Sequence, residues 1–174
     1  KILFCNAIGI CLQAFSNVGD GVIVFSPVYH AFARVIKANE RQLIESPLVQ
    51  IDGRYHMDLP KLEKQLTGDE KILLFCSPHN PGGRVWNKNE LTELAAFCQK
   101  HDLLLISDEV HHDLVFFPAK HIVFANAVPE ISNRLVTLVA TTKAFNIAGA
   151  MIGSIVISNE NLRQKLNKVA AAAG

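Results

Sequence analysis

The chain lacks a charge of one sign, paired cysteines and long apolar runs. Its 17 lysines and arginines nearly cancel its 16 aspartates and glutamates, for a formal net charge of +1, so it carries no electrostatic footprint for nucleic acid or an acidic membrane surface. Cys5, Cys11, Cys76 and Cys98 form no CxxC pair and have no histidine at zinc-ligand spacing, so neither a disulfide framework nor a zinc site is expected. They read as reduced core thiols, which suits a cytoplasmic protein. No stretch approaches the roughly 18 to 20 apolar residues of a membrane span, and a soluble chain is expected. Internal repeats and low-complexity segments are also missing.

What is present is a 49% hydrophobic composition over 174 residues, enough for one sizeable core. Lys1 is not an initiator methionine, and the helical pattern "NENLRQKLNKVAAAAG" runs to the last residue, so a piece of a longer protein is expected. The runs "DGVIVFS", "KILLFCS", "LLLISDE" at 103–109 and "RLVTLVA" at 134–140 read as strands buried on both faces, because their apolar residues are continuous rather than alternating. Amphipathic helices are expected from Phe4 to Ser16, from Tyr29 to Asn39, over "DLPKLEKQL", over "NKNELTELAAFCQKH" and from Asn159 onward. In the fourth of these, Asn87 and Glu90 have the spacing of a capping box. "SPLVQIDGRYHMD" reads as an excursion turning at Asp52-Gly53. Strands alternating with helices predict an α/β fold, a mostly parallel sheet with helices on both faces, whose ligands sit beyond the carboxyl ends of the strands.

Tyr29, Asn80, Asp108 and Lys143 each fall at or just after the end of a different predicted strand, so they can converge on one crevice. Each has an ordinary explanation when taken alone. Asp108 could cap a helix, Asn80 could belong to a structural turn, Tyr29 could be a packing residue and Lys143 a surface lysine. Yet Lys143 ends an apolar run, where an unpaired ammonium is costly, and one chemistry asks for the whole set. A lysine amine condenses with an aldehyde cofactor, an aspartate keeps that cofactor's ring nitrogen protonated, an aromatic face stacks on the ring and an amide reaches its phenolic oxygen. The cofactor that fits is pyridoxal phosphate. "HHDL" from His111 could instead hold a metal, but adjacent histidines in a strand point to opposite faces and no third ligand is spaced to join them, so no metal is expected.

The ordered segments "SPVYHAF", "CSPHNPGGRVW", "ISDEVHHDL" and "TTKAFNIAG", with Lys143 35 residues after Asp108, resemble the aspartate-aminotransferase-like fold-type I pyridoxal-phosphate enzymes. Within them the sequence is most similar to the cystathionine β-lyase (C–S lyase) branch typified by MalY and PatB. The resemblance spans essentially the whole chain. It implies that residues 1–174 are the cofactor-binding large domain, with an N-terminal segment and a C-terminal small domain lying outside them. Lys143 then matches the catalytic lysine that holds the cofactor, Asp108 the partner of the ring nitrogen, Asn80 the amide at the phenolic oxygen and Tyr29 the stacking aromatic. His111 stands where many aminotransferases have a tyrosine near that oxygen, and Thr142 matches a phosphate-binding hydroxyl, with Thr141 beside it.

The resemblance also implies a cis Asn80–Pro81 bond, a small amino-acid substrate and a homodimer with a shared active site. Two positions depart from the wider pattern. Met151 stands where many aminotransferases have a phosphate-binding arginine, an absence common in the lyase branch. Leu3-Phe4-Cys5 replaces a Gly-Val-Val-like turn whose backbone amides cradle phosphate at a helix N-terminus. The implied activity is β-elimination from cystathionine or a related cysteine S-conjugate, giving thiol, pyruvate and ammonia. Transamination is the alternative, and a non-catalytic regulatory domain is the third reading. Arg84 and Trp86 are expected to pack or pair beside the Asn80 loop, and His79 has no assigned role.

Overall fold

The computed structural model describes residues 4–172, with side chains from Asn6 onward. The four apolar runs form strands β1 (Gly21–Ser26), β5 (Glu70–Cys76), β6 (Leu104–Asp108) and β7 (Leu135–Val139). Two edge strands, β2 (Gln42–Pro47) and β8 (Ser154–Val156), extend them into a six-stranded sheet of order β2-β1-β5-β6-β7-β8. All neighbours are parallel except β8, which runs antiparallel to β7. The fold is therefore the mostly parallel α/β sheet that the sequence predicts. The excursion at 46–58 contains a small hairpin of β3 (Val49–Ile51) and β4 (Arg54–His56), which turns at Asp52-Gly53.

Both faces of the sheet are covered, which is why its central strands carry consecutive apolar residues, such as Ile72 to Cys76 and Leu104 to Ile106, rather than alternating ones. Ile23, Phe25, Leu73, Phe75 and Leu105 point to a face packed by α3 (Leu59–Glu63), α4 (Lys88–Lys100) and the short α5 (Phe124–Ala127). Val22, Val24, Ile72, Leu74 and Ile106 alternate to the other face, under α1 (Phe4–Phe15), α2 (Ala31–Ala38) and α6 (Glu160–Ala172). The capping box at the start of α4 is present: the Asn87 side chain accepts from Glu90 N, and the Glu90 carboxylate accepts from Asn87 N at 2.8 Å. Helix α3 is shorter than the sequence predicts. It ends before Thr67-Gly68, where the Glu70 carboxylate accepts from both backbone N–H groups and holds a turn. Strand order reverses between β1 and β5, because β2 lies on the outer side of β1. That switch point opens a crevice at the carboxyl ends of the strands.

Candidate active site

A cleft of about 180 Å³ lies beyond those carboxyl ends, and its lining includes Tyr29, Asn80, Asp108, His111, Thr142 and Lys143. These six candidates from the sequence are thus brought to one place, whereas Thr141 is exposed beside them and does not line the cleft. Four different strands deliver them: β1 leads to Tyr29, β5 to Asn80, β6 ends in Asp108, and β7 leads to Thr142 and Lys143. The apolar remainder of the lining, including Val110, Met151 and Ile152, carries no motif beyond the Met151 substitution and is not legible as a wall from sequence.

Asp108 forms the floor. It is 4% exposed, and its Oδ1 accepts from Val110 N at 3.1 Å. Its Oδ2 has one hydrogen-bond contact among the described residues, the Cys76 thiol, whose sulfur is 4.0 Å away. Burial pushes the carboxyl up to about 7; the Val110 hydrogen bond and the Lys143 charge pull it down, while the Glu109 charge raises it. The cleft floor is therefore a desolvated carboxylate with one oxygen nearly unclaimed, a setting that favours a cation. Burial also holds the His111 imidazole below its ordinary range, and the Lys143 charge acts in the same direction. His111 and His112 lie in a turn rather than a strand.

Asn80 sits in a loop tied down from several sides. Its N–H donates to Cys76 Sγ at 3.3 Å, and that thiol is directed at Pro78 O, also at 3.3 Å. Next to it the buried His79 accepts from Gly82 N through Nδ1 at 3.3 Å and faces Phe25 O through Nε2 at 3.4 Å. This links the loop to the end of β1 and gives His79 a place as a loop fastener. A Cβ on Gly82 would come within 2.9 Å of His79 Nδ1 and 3.1 Å of Tyr55 Cδ2, so the close approach requires glycine. Arg84 donates to Tyr55 O at 2.7 Å, pairs with Glu90 and lies 4.7 Å over the Trp86 ring. Trp86 is buried and donates to Cys76 O at 3.0 Å. These two residues pack and pair as the sequence predicts. The Asn80–Pro81 bond is cis, as are Ser26–Pro27, Ser77–Pro78 and Phe117–Pro118.

Lys143 is where the sequence reading needs correction. The apolar run ends at Ala140, Thr142 is buried at 9%, and Lys143 itself is exposed in the turn that follows. Among the described residues its side chain makes no hydrogen bond or ion pair; its carbonyl accepts from Asn146 N at 3.4 Å. The turn is backbone-built, with Phe145 N donating to Thr141 O at 3.1 Å and Ile147 N to Thr142 O at 3.0 Å. Phe145, Ile147 and Ile152 follow it along the rim, exposed by 69, 43 and 57%. In the Leu3-Phe4-Cys5 segment, Leu3 and the side chains of Phe4 and Cys5 lie outside what is described.

The family described as Aminotransferase class I and II matches residues 4–173. Cystathionine beta-lyase PatB of Bacillus subtilis is 37% identical over 93% of the chain and 42% of its own length. Protein MalY of Escherichia coli is 34% identical over 87% of the chain and 38% of its own length. The crystal structure of cystalysin from Treponema denticola, which contains pyridoxal 5'-phosphate, superposes with a TM-score of 0.93 at 41% identity, over 97% of this chain and 43% of that one. Kynurenine–oxoglutarate transaminases also stand among the relatives. The chain spans less than half the length of the curated relatives it matches.

Proposed function

The chain belongs to the aminotransferase class I and II family, and from that premise we propose that residues 1–174 are the cofactor-binding large domain of a pyridoxal-phosphate-dependent carbon–sulfur lyase. Its substrate is cystathionine or a related cysteine S-conjugate. When bound, pyridoxal phosphate supplies an aldehyde that condenses with amines and a ring that takes up the electron pair left by a departing α-proton. The observation that carries the reading is Asp108, buried at the cleft floor, where the one hydrogen-bond contact to Oδ2 among the described residues is a thiol at 4.0 Å. That oxygen fits a protonated ring nitrogen, whose positive charge would oppose the burial effect and keep the carboxylate ionised.

The other residues follow from their places around the floor. Lys143 would hold the cofactor through its amine and, when that amine is free, would take up the substrate's α-proton. Its exposed turn leaves it free to swing between those two tasks. Asn80 and His111 serve the phenolic oxygen, with His111 acting as a neutral imidazole. Tyr29 covers a ring face, and the Thr142 hydroxyl contributes to phosphate binding. When the β-carbon carries sulfur, the electron pair from the α-carbon expels it as a thiolate, and water converts the remaining three carbons to pyruvate and ammonia. Met151 in the cleft wall, together with the likeness to PatB and MalY, supports elimination over transamination.

The reading includes a homodimer in the cytoplasm with a shared site. The exposed apolar rim at Phe145, Ile147 and Ile152 is surface that a second copy would cover, and no described helix is long and apolar enough to cross a membrane. The test is to give full-length protein pyridoxal phosphate and cystathionine, and separately an amino acid with a keto acid. Equal yields of thiol and pyruvate are expected. New amino acid without pyruvate would convert the reading to transamination, and bound cofactor with neither product would favour a regulatory domain.

A further inference from the structure

The segment from Val110 to Val123 contains no helix or strand, yet it carries His111 into the cleft and walls a second hollow of about 360 Å³ that shares Asn80 and His111 with it. Its middle holds little of its own. Phe116 and Phe117 are 92 and 93% exposed, and the backbone bonds within it are the local ones from Leu114 N to His111 O and from Ala119 N to Phe116 O. Both of its ends converge on one buried side chain. Glu109, 1% exposed, follows Asp108 and is anchored to β7 by its N–H donating to Leu138 O at 2.9 Å. Its Oε1 accepts from Ser107 Oγ at 3.0 Å and from Phe124 N, the start of α5, at 3.1 Å. Its Oε2 accepts from His121 Nε2 at 2.7 Å, in a pair whose side chains are 1 and 6% exposed. Its carbonyl receives His112 N at 3.0 Å and faces His112 Nδ1 at 2.7 Å.

We propose that Glu109 and His121 form a clasp that closes this segment on itself and so positions His111 against the cleft. Both are positioning residues, since neither lines the cleft. A buried carboxylate with three donors holds its partners in fixed directions, and removing one donor leaves the others competing with a mobile chain. His121 Nδ1 is buried without a partner among the described residues. The clasp therefore uses a single N–H of His121, and a neutral donor at the same reach should replace it. The part of the claim that concerns the cofactor rests on the function proposed above; the part that concerns the segment does not.

The experiment compares His121→Leu and His121→Gln in the full-length protein. In the cofactor-free protein, peptide-resolved hydrogen exchange over residues 110–120 should accelerate at least tenfold for leucine, with β6 and β7 unchanged, and return to near the wild-type rate for glutamine. Unchanged exchange in the leucine variant, or glutamine behaving like leucine, overturns the clasp. Should the leucine variant not fold, the glutamine variant decides: wild-type exchange supports the clasp and accelerated exchange refutes it. With pyridoxal phosphate bound, the pH midpoint of the cofactor's absorbance should shift in His121→Leu in the same direction as in His111→Phe, with the double variant shifted no further than the larger single one. A loosened segment with an unmoved midpoint would make the clasp a local fastening only and overturn its positioning role. Failure of the wild-type protein to bind the cofactor would instead overturn the proposed function, and with it the link to the site, while the exchange result still stands.

Discussion

Asp108 and Lys143 face the same cleft from unlike settings. The aspartate is 4% exposed at the end of a central strand, with its neighbours fixed by the sheet. The lysine is exposed, in a turn whose following residues are exposed too. The proton affinity of Asp108 is therefore a property of this domain, fixed once β5, β6 and β7 are in register. The surroundings of Lys143 depend on what covers the rim. A site can thus be half prepaid in desolvation before any ligand arrives, while its reactive arm stays free to move.

The largest expected effect comes from the mobile side. Lys143→Ala should lower pyruvate release by about a thousandfold or more, the scale of losing both a covalent anchor and a general base. The melting temperature of the cofactor-free protein should stay within about 1 °C of wild type, because the side chain is exposed and has no hydrogen-bond or ion-pair partner among the described residues. A clear loss of stability would break the contrast.

Asp108→Asn should behave in the opposite way. Exchange of the substrate α-proton, followed by NMR, should slow by about a hundredfold or more, as expected when the charge holding the ring proton is lost. The cofactor-free variant should nonetheless be more stable than wild type at pH 8. Burial raises the folded carboxyl to about 7 from its ordinary 3.8, so between those values the native state keeps a proton that the unfolded chain has released. Wild-type stability therefore falls as pH rises through that window, and the asparagine variant lacks this component of the slope. The gain should be on the order of 2–4 kcal/mol above pH 7 and vanish near pH 4. Denaturant titrations at several pH values test it, and a pH-independent difference would refute burial as the cause.

Smaller effects separate the Asn80 loop from the outer helices. Gly82→Ala should destabilise by about 1–3 kcal/mol through overpacking against His79 and Tyr55, and should weaken cofactor binding because Asn80 is displaced with the loop. Asn87→Ala removes the helix cap remote from the cleft and should cost about 1 kcal/mol in chemical denaturation with turnover unaltered.

The same contrast explains what was legible in the sequence. Central strands such as "KILLFCS" announce themselves because burial on two faces demands unbroken apolar residues. Edge strand β2 does not, since Gln42 and Glu45 face solvent and interrupt the run, and β8 is only three residues long. The convergence of Tyr29, Asn80, Asp108 and Lys143 was readable because a parallel sheet places all its strand ends on one side. For Lys143 the surface-lysine reading matches its exposure, while the reading that it closes an apolar run does not, because that run stops at Ala140. The Glu109–His121 pair was not readable, because it joins residues across a segment with no periodicity at all.

Strand order has a kinetic consequence. Gly21 pairs with Glu70 and Leu105 with Leu135, so every pairing that assembles the cleft is parallel and joins segments far apart in the chain. Such contacts form only after long loops have closed, which makes folding slow beside that of a helical domain of equal size. During synthesis Tyr29 emerges first and has nothing to face until Asp108 and then Lys143 follow. The cleft is among the last features to exist, and a ligand that binds only the finished cleft draws the whole folding equilibrium toward the native state by RT ln(1 + [L]/Kd). The more of such a ligand is present above its Kd, the larger the folded fraction of the chain.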